Sequence, residues 1–347
     1  MPRRLLFLAF SWLLLCTSAA AAELYTGEVP VEPDSRTSAS EQLDALDQVL
    51  GRLTGRFDTS LVAELGLGAG DLGSLVLSQQ LVRRDTVSEE GEPEESLRLQ
   101  VDFDEPSIND LLDANDLPRW GRERPAVLLW AVIEDEAGTR FVEAPRLEYL
   151  IRNQARRLGL DVVRPLGDVL DLTEISLQDV RGGFLGSAAA SARRYGAGVI
   201  AMLDLRLEDA EADPPLWTAR WRWRVEGQDS GLDHSGEVPE ALLRDGLERV
   251  AASLAARYAV VDVDGEPGRW RVSVHGIVDE VQYAEVLGYI ANLSVVEDVR
   301  VMGANRRRID FELISGGQDL ETFLALGGLL ELERRGADRQ LHFRLAR

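Results

Sequence analysis

Two copies of one motif restrict the fold. Residues 155–159 read ARRLG and residues 192–196 read ARRYG, and each precedes an apolar stretch, LDVV (160–163) and AGVIAMLDL (197–205). In both, two arginines stand at the negative end of a helix and a glycine takes the position that ends it. A buried strand follows. Upstream, AVLLWAVI (126–133) is a continuous apolar run, as expected of a central strand covered on both faces. Two helix-to-strand units after such a strand imply right-handed crossovers and a partly parallel sheet. Residues 125–261 are therefore expected to form an α/β domain with a mixed sheet. Its later part adds a turn at EDAEADPP (208–215), a strand at WTARWRWRV (217–225), a second turn at DSGLDHSG (229–236) and a helix over 240–258.

The flanking segments read as α+β. In 23–119, LYTGEVPV is a short strand and Ser38-Ala39-Ser40-Glu41 is a capping box. Leu43, Leu46, Leu50 and Leu53 then mark one helical face, and Gly55 stands just past its end. A shorter helix is expected around 59–65. SLRLQVDF (96–103) alternates as a half-buried strand does, behind a solvated acidic hairpin loop, SEEGEPEE. In 269–347, the strand WRVSVHGI leads into a helix capped by Asp279 and Gln282 and carrying Val281, Val286, Ile290 and Leu293. Two strands, a helix near 320–326 and closing strands near Leu330 and Phe343 give a ferredoxin-like βαββαβ order. The expected whole is a multidomain α+β and α/β protein.

Charge and the N-terminus narrow the setting. Lysine is absent, so neither a P-loop lysine nor a Schiff-base lysine exists. The net charge of −22 argues against nucleic acid and anionic lipid as partners. Arg3 and Arg4, the run Leu5–Leu15 and Ala20-Ala21-Ala22 form the three parts of a secretory signal peptide over 1–22. Its removal would take the charge from −22 to −24. Cys16 is the only cysteine; a small residue would precede a lipidation cysteine, and Leu15 stands there, so lipoprotein anchoring is the minor alternative. The expected product is a soluble, exported, periplasmic protein without disulfides.

The loudest local signal is WTARWRWRV. On a strand, Trp217, Ala219, Trp221, Trp223 and Val225 share one face, and Thr218, Arg220, Arg222 and Arg224 the other. A base-stacking platform needs aromatics and cations together on an exposed face, whereas this alternation separates them. The simpler account is a tryptophan face packed on the helix 240–258 with arginines turned outward, to solvent or to acidic neighbours. Arg220, Arg222 and Arg224 remain the candidate partner-binding residues. GAGDLG (68–73) matches a dinucleotide fingerprint in letters but follows a helix, so it reads as a loop. His234 (in a turn), His275 and His342 lie far apart and show no zinc spacing. DVDG (262–265) places its glycine too early for a calcium loop. No cofactor, metal or catalytic residue is expected.

LYTGEVPV, VLGRLTGR, ARRYGAGVIAML, LAARYAV and above all the block LPRWGRERPAVLLWAVIEDE (117–136), with Trp120, Arg124, Pro125 and Trp130, resemble the proteobacterial domain-of-unknown-function family 2066. That family has no assigned activity, so the resemblance supplies no site residues. More distantly, the middle segment is similar to the α/β domain of envelope accessory proteins. The first segment is similar to the N-terminal domain of a periplasmic flagellar assembly protein. The expected function is non-catalytic: binding or scaffolding of a cell-envelope protein. The rival is a carboxylate-dependent periplasmic hydrolase in a cleft between the first two segments. Two close, shielded acids, one with a raised pKa, would favour the rival. A patch of exposed apolar residues would favour the first.

Overall fold

The computed structural model describes residues 24–32, 38–87, 93–143, 145–260, 268–305, 307–316 and 320–346. The expected signal peptide, including Cys16, and the DVDG turn lie outside these residues. Two compact units divide the chain: Met1–Arg119 with Arg157–Gly159, and Trp120–Arg156 with Leu160–Arg347.

The first unit packs β1 (Thr26–Pro30), α1 (Ala39–Thr54), the short helices α2 (Leu61–Glu64) and α3 (Leu72–Leu75), β2 (Val76–Val87), β3 (Pro93–Phe103) and α4 (Glu105–Asp113). Its sheet runs β1-β3-β2 and is antiparallel. Helix α1 starts where the capping box places it: Ser38 accepts from the Glu41 amide and Glu41 from the Ser38 amide. It ends at Gly55, whose φ of 75° is left-handed. Leu46, Leu50 and Leu53 are fully buried against the sheet, with Leu43 half-buried beside them. A side chain at Gly27 would meet the Ala45 carbonyl oxygen at 2.3 Å, so the glycine permits the close approach of β1 to α1. Arg52 on α1 is buried and donates to the Leu24 and Thr26 carbonyls, tying down the start of the described chain.

The second unit begins with an α/β layer. Its elements are β4 (Val127–Asp135), β5 (Gly138–Phe141), α5 (Pro145–Leu158), β6 (Val162–Val163), α6 (Val169–Glu174), α7 (Leu177–Gly182), α8 (Ala189–Arg194), β7 (Val199–Asp209), β8 (Leu216–Val225), β9 (Gln228–Gly236) and α9 (Pro239–Tyr258). The sheet order is β5-β4-β7-β8-β9, with β6 paired to β4. β4 is parallel to both β6 and β7. The first crossover therefore leaves β4 to one side and the second returns across it to the other, which makes the carboxyl end of β4 a topological switch point. Leu128, Trp130, Val132, Ile200 and Met202 pack under the connector 164–198. On the opposite face Trp221 and Trp223 are buried, and the Trp221 indole nitrogen donates to the Leu242 carbonyl of α9 at 3.3 Å.

Residues 88–92 of the expected acidic loop lie outside the described residues and 93–95 open β3 instead, and a second stretch departs further from the sequence reading. DSGLDHSG was expected to be a turn and is most of β9, so His234 stands on a strand. The actual turn is Glu226-Gly227, with φ of 46° and 80°. Two successive left-handed residues match the twist of a tight hairpin. The residues of 229–236 have little strand propensity. They pair because β8 presents arginines opposite their aspartates, a cross-strand match that outweighs propensity.

The C-terminal part contains β10 (Gly268–His275), α10 (Glu280–Ala291), β11 (Val296–Asn305), β12 (Arg308–Ser315), α11 (Leu320–Leu326), β13 (Leu330–Arg335) and β14 (Gln340–Leu345). The sheet order is β11-β12-β10-β14-β13. The βαββα succession is the expected one, and the two closing strands form a hairpin. β14 turns back from β13 and inserts beside β10, parallel to it, leaving β13 at the edge. Val286, Ile290 and Leu293 are buried as the periodicity requires, whereas Val281, in the first turn of α10, is exposed.

Candidate functional site

β8 and β9 display the candidate arginines first. Arg222 reaches both Asp233 oxygens, at 2.5 and 3.0 Å, and Arg224 both Asp229 oxygens, at 2.5 and 2.8 Å. Arg220 lies 4.0 Å from Asp233 and donates to the Arg181 carbonyl at 3.2 Å. Hydrogen bonds from Arg224 hold Asp229, and hydrogen bonds from Arg222 hold Asp233, below the usual carboxylate range. The arginine row is thus answered by an aspartate row on its own hairpin. An anionic partner there has to displace those aspartates.

The switch point supplies a second place. A crevice of about 520 Å³ opens at the carboxyl ends of β4 and β7, lined among others by Glu134, Asp135, Arg181, Arg206 and Glu208. In open α/β sheets ligands gather at this position. Arg181, from α7, donates to Glu134 at 2.6 Å, and Arg206 stands 3.6 Å from the same carboxylate. Arg206 also binds one oxygen of Asp204, which is 2% exposed, while the other Asp204 oxygen has no partner. Arg140 grips both Asp135 oxygens at 2.7 Å and pulls that carboxyl down. Glu134, Asp135 and Asp204 are thus each engaged by an arginine, while Glu208 accepts from the Thr218 hydroxyl at 2.9 Å.

The connector between β6 and β7 presents the third feature. Leu166, Val169, Leu170, Leu172 and Phe184 are 76%, 79%, 63%, 53% and 61% exposed. Their scaffold is firm. Asp171, fully buried, accepts from the Gly167 amide, the Tyr195 hydroxyl and Arg194, and Asp168 caps α6 and also pairs with Arg194. Ser176 and Asp179 form a capping box at α7. Apolar side chains are thus held outward on an ordered frame. No periodicity betrays them, because the helices of this connector are single turns or little more.

The three histidines are not all apart: the His275 and His342 rings lie 6.3 Å from each other on β10 and β14, and His234 is on β9. Among the described residues no group of three or more His, Cys, Asp or Glu is placed to hold a metal ion, and no helix is long and apolar enough to cross a membrane. GAGDLG follows α2 and runs into α3 with no strand before it.

Comparison with known proteins corrects the family. The family described as Domain of unknown function (DUF8605) matches residues 18–121, and the resemblance to family 2066 is not upheld. The match ends just inside the block 117–136 on which that resemblance leaned. The block has its own structural cause: Arg124 stacks 3.9 Å over the buried Trp120 ring and donates to the Trp120 and Gly121 carbonyls. No curated protein matches the chain. A solved structure titled "Crystal structure of uncharacterized protein" is similar over 39% of this chain and 92% of its own, at 10% identity and a TM-score of 0.20.

Proposed function

We propose that the chain is an exported, non-catalytic binding protein that docks a cell-envelope partner through the apolar surface of residues 166–184. One observation carries this reading: five large apolar side chains project from an ordered connector within that stretch. Four of them fall within residues 166–172, and apolar side chains exposed this densely favour a protein-binding surface, because solvent exposure costs about 25 cal/mol per Å² that a partner recovers by covering them. The hydrolase alternative asks for a shielded pair of acids with one raised pKa. In the crevice, Glu134 and Asp135 are held by arginines instead. Glu123 is raised by burial, but it accepts from the Ser294 amide and hydroxyl and has no acidic partner in that bond set.

The test is crosslinking in intact cells. A photoreactive amino acid replaces Val169 or Phe184 in a C-terminally tagged chain, and captured proteins are identified by mass spectrometry. The expected result is one reproducible envelope protein, lost when Leu170→Glu is added. A chain found in the cytoplasmic fraction, or capture that survives Leu170→Glu unchanged, overturns the reading.

A further inference from the structure

The open face of the C-terminal sheet carries a chemistry unrelated to the apolar connector. Val272, Val274, Phe311, Leu341 and Phe343 are buried in the core with residues of α10 and α11. The alternate residues of each strand occupy the opposite face. Register arranges them in rows. One row runs Glu331, Arg344, His275, Arg308 across β13, β14, β10 and β12. The next runs Arg334, His342, Ser273, Asp310 across the same strands.

Both acids in these rows are already engaged. Asp310 accepts from Ser273 at 2.6 Å and pairs with Arg308 at 3.1 Å, and Glu331 pairs with Arg344 at 2.7 Å. Three basic groups are left over: His275, His342 and Arg334, which makes no ion pair among the described residues. Nδ1 of His342, like Nε2 of His234, is shielded from solvent without a hydrogen-bond partner, so Nε2 is the His342 atom that faces outward for a ligand. Arg344 also lies 3.9 Å from Glu333, so three arginines against three acids give this patch a charge of 0 with neutral imidazoles and +2 with both protonated. The setting sharpens this. Residues 268–347 hold eleven arginines and twelve acids, a charge of −1, so the remainder of the chain carries −21 of the −22.

We propose that Arg334, His275 and His342 form a binding site for a phosphate dianion, free or as a phosphomonoester. A dianion matches a site whose charge rises from 0 to +2 as its two imidazoles take up protons, a change the dianion's arrival favours. An arginine fork and two imidazole N–H donors supply the directed hydrogen bonds a phosphate accepts. Burial first, then the charges of Arg334, His275 and Arg308, push the His342 imidazole below its ordinary range, and Asp310 opposes them. A bound dianion acts in the same sense as Asp310.

The chain contains three histidines, so their ring-proton NMR signals can be followed one by one, and His234, on another sheet, is an internal control. The full chain is titrated at constant ionic strength with inorganic phosphate, with glycerol phosphate and with acetate. The expected result is saturable movement of the His275 and His342 signals with either phosphate compound. His234 should stay still, the His342 pKa should rise, and Arg334→Gln should weaken binding about tenfold, the loss of one charge-assisted contact. Tighter binding of glycerol phosphate assigns the site to phosphomonoesters, and tighter binding of inorganic phosphate assigns it to the free ion. No saturable movement, movement of all three histidines in step, equal response to acetate, or an unchanged affinity in Arg334→Gln overturns the proposal.

Discussion

Gly246→Ala should destabilise this protein, although helix propensity alone favours the change. Gly246 lies within α9, and in a free helix alanine gains about 1 kcal/mol over glycine. Here the added methyl carbon would stand 2.0 Å from two atoms of the Trp221 indole, against an optimal carbon separation of about 3.5–4.0 Å. The indole has nowhere to go: Trp221 is fully buried and its ring nitrogen is held by the Leu242 carbonyl. Overpacking of a tight core costs about 1–3 kcal/mol, and a mismatch this large belongs at the upper end. The net expectation is a loss of about 2 kcal/mol, read from urea unfolding. Gly288→Ala is the control. Gly288 also lies in a helix, α10, but nothing stands within 4 Å of its added carbon, so that variant should gain about 0.5–1 kcal/mol. Trp221→Leu in the Gly246→Ala background removes the obstacle, and the pair should be less damaging than the sum of the singles by at least about 1 kcal/mol. A Gly246→Ala variant as stable as Gly288→Ala, or additive with Trp221→Leu, would refute the idea that this glycine exists to admit the tryptophan.

Other expectations are simpler. Trp221→Ala should cost about 3–5 kcal/mol, and an unchanged melting temperature would remove the indole from the core. Arg194→Gln leaves the Asp171 carboxylate, 0% exposed, short of its cation, and should lower the urea midpoint more than Arg224→Gln does. Arg224→Gln breaks an exposed pair whose aspartate is 55% accessible, and should cost under about 1 kcal/mol. The pH dependence has two opposite parts. Burial raises Glu123, so its contribution is complete below the ordinary glutamate pKa of about 4.3 and is lost as pH rises through the higher folded value. Glu123→Gln should flatten that slope. Asp229 and Asp233 are depressed, so their contribution is complete above the ordinary aspartate pKa of about 3.9 and is lost as pH falls through the lower folded values. A stability profile measured from pH 3 to 8 on wild type and Glu123→Gln separates the two.

Local order is what the residues themselves determine. The ARRLG and ARRYG units fix two helix ends and two strand starts, because a glycine in the left-handed region and a cationic last turn act within a few residues. The alternation of WTARWRWRV puts tryptophans and arginines on opposite faces whatever the strand pairs with, and the structure keeps the tryptophans Trp221 and Trp223 inside. The capping box at Ser38 and the buried run of β4 belong to the same class of local cause.

Pairing over distance is what only the tertiary structure decides. DSGLDHSG becomes a strand because arginines of β8 stand opposite Asp229 and Asp233, a match invisible in either segment alone. His275 and His342 meet because β14 inserts beside β10, although 66 residues separate them in the chain. The crevice at Glu134 and Arg206 exists because β7 pairs in parallel with β4 and sets those two residues side by side at the carboxyl ends. Leu166, Val169, Leu170 and Phe184 are exposed, while Ile175, Val180, Leu185, Ala188 and Ala192 of the same connector pack onto the sheet. Periodicity reports how a residue is oriented on its own element. Which element lies opposite, and therefore whether that face is covered, compensated or left open, follows from the packing of the whole domain.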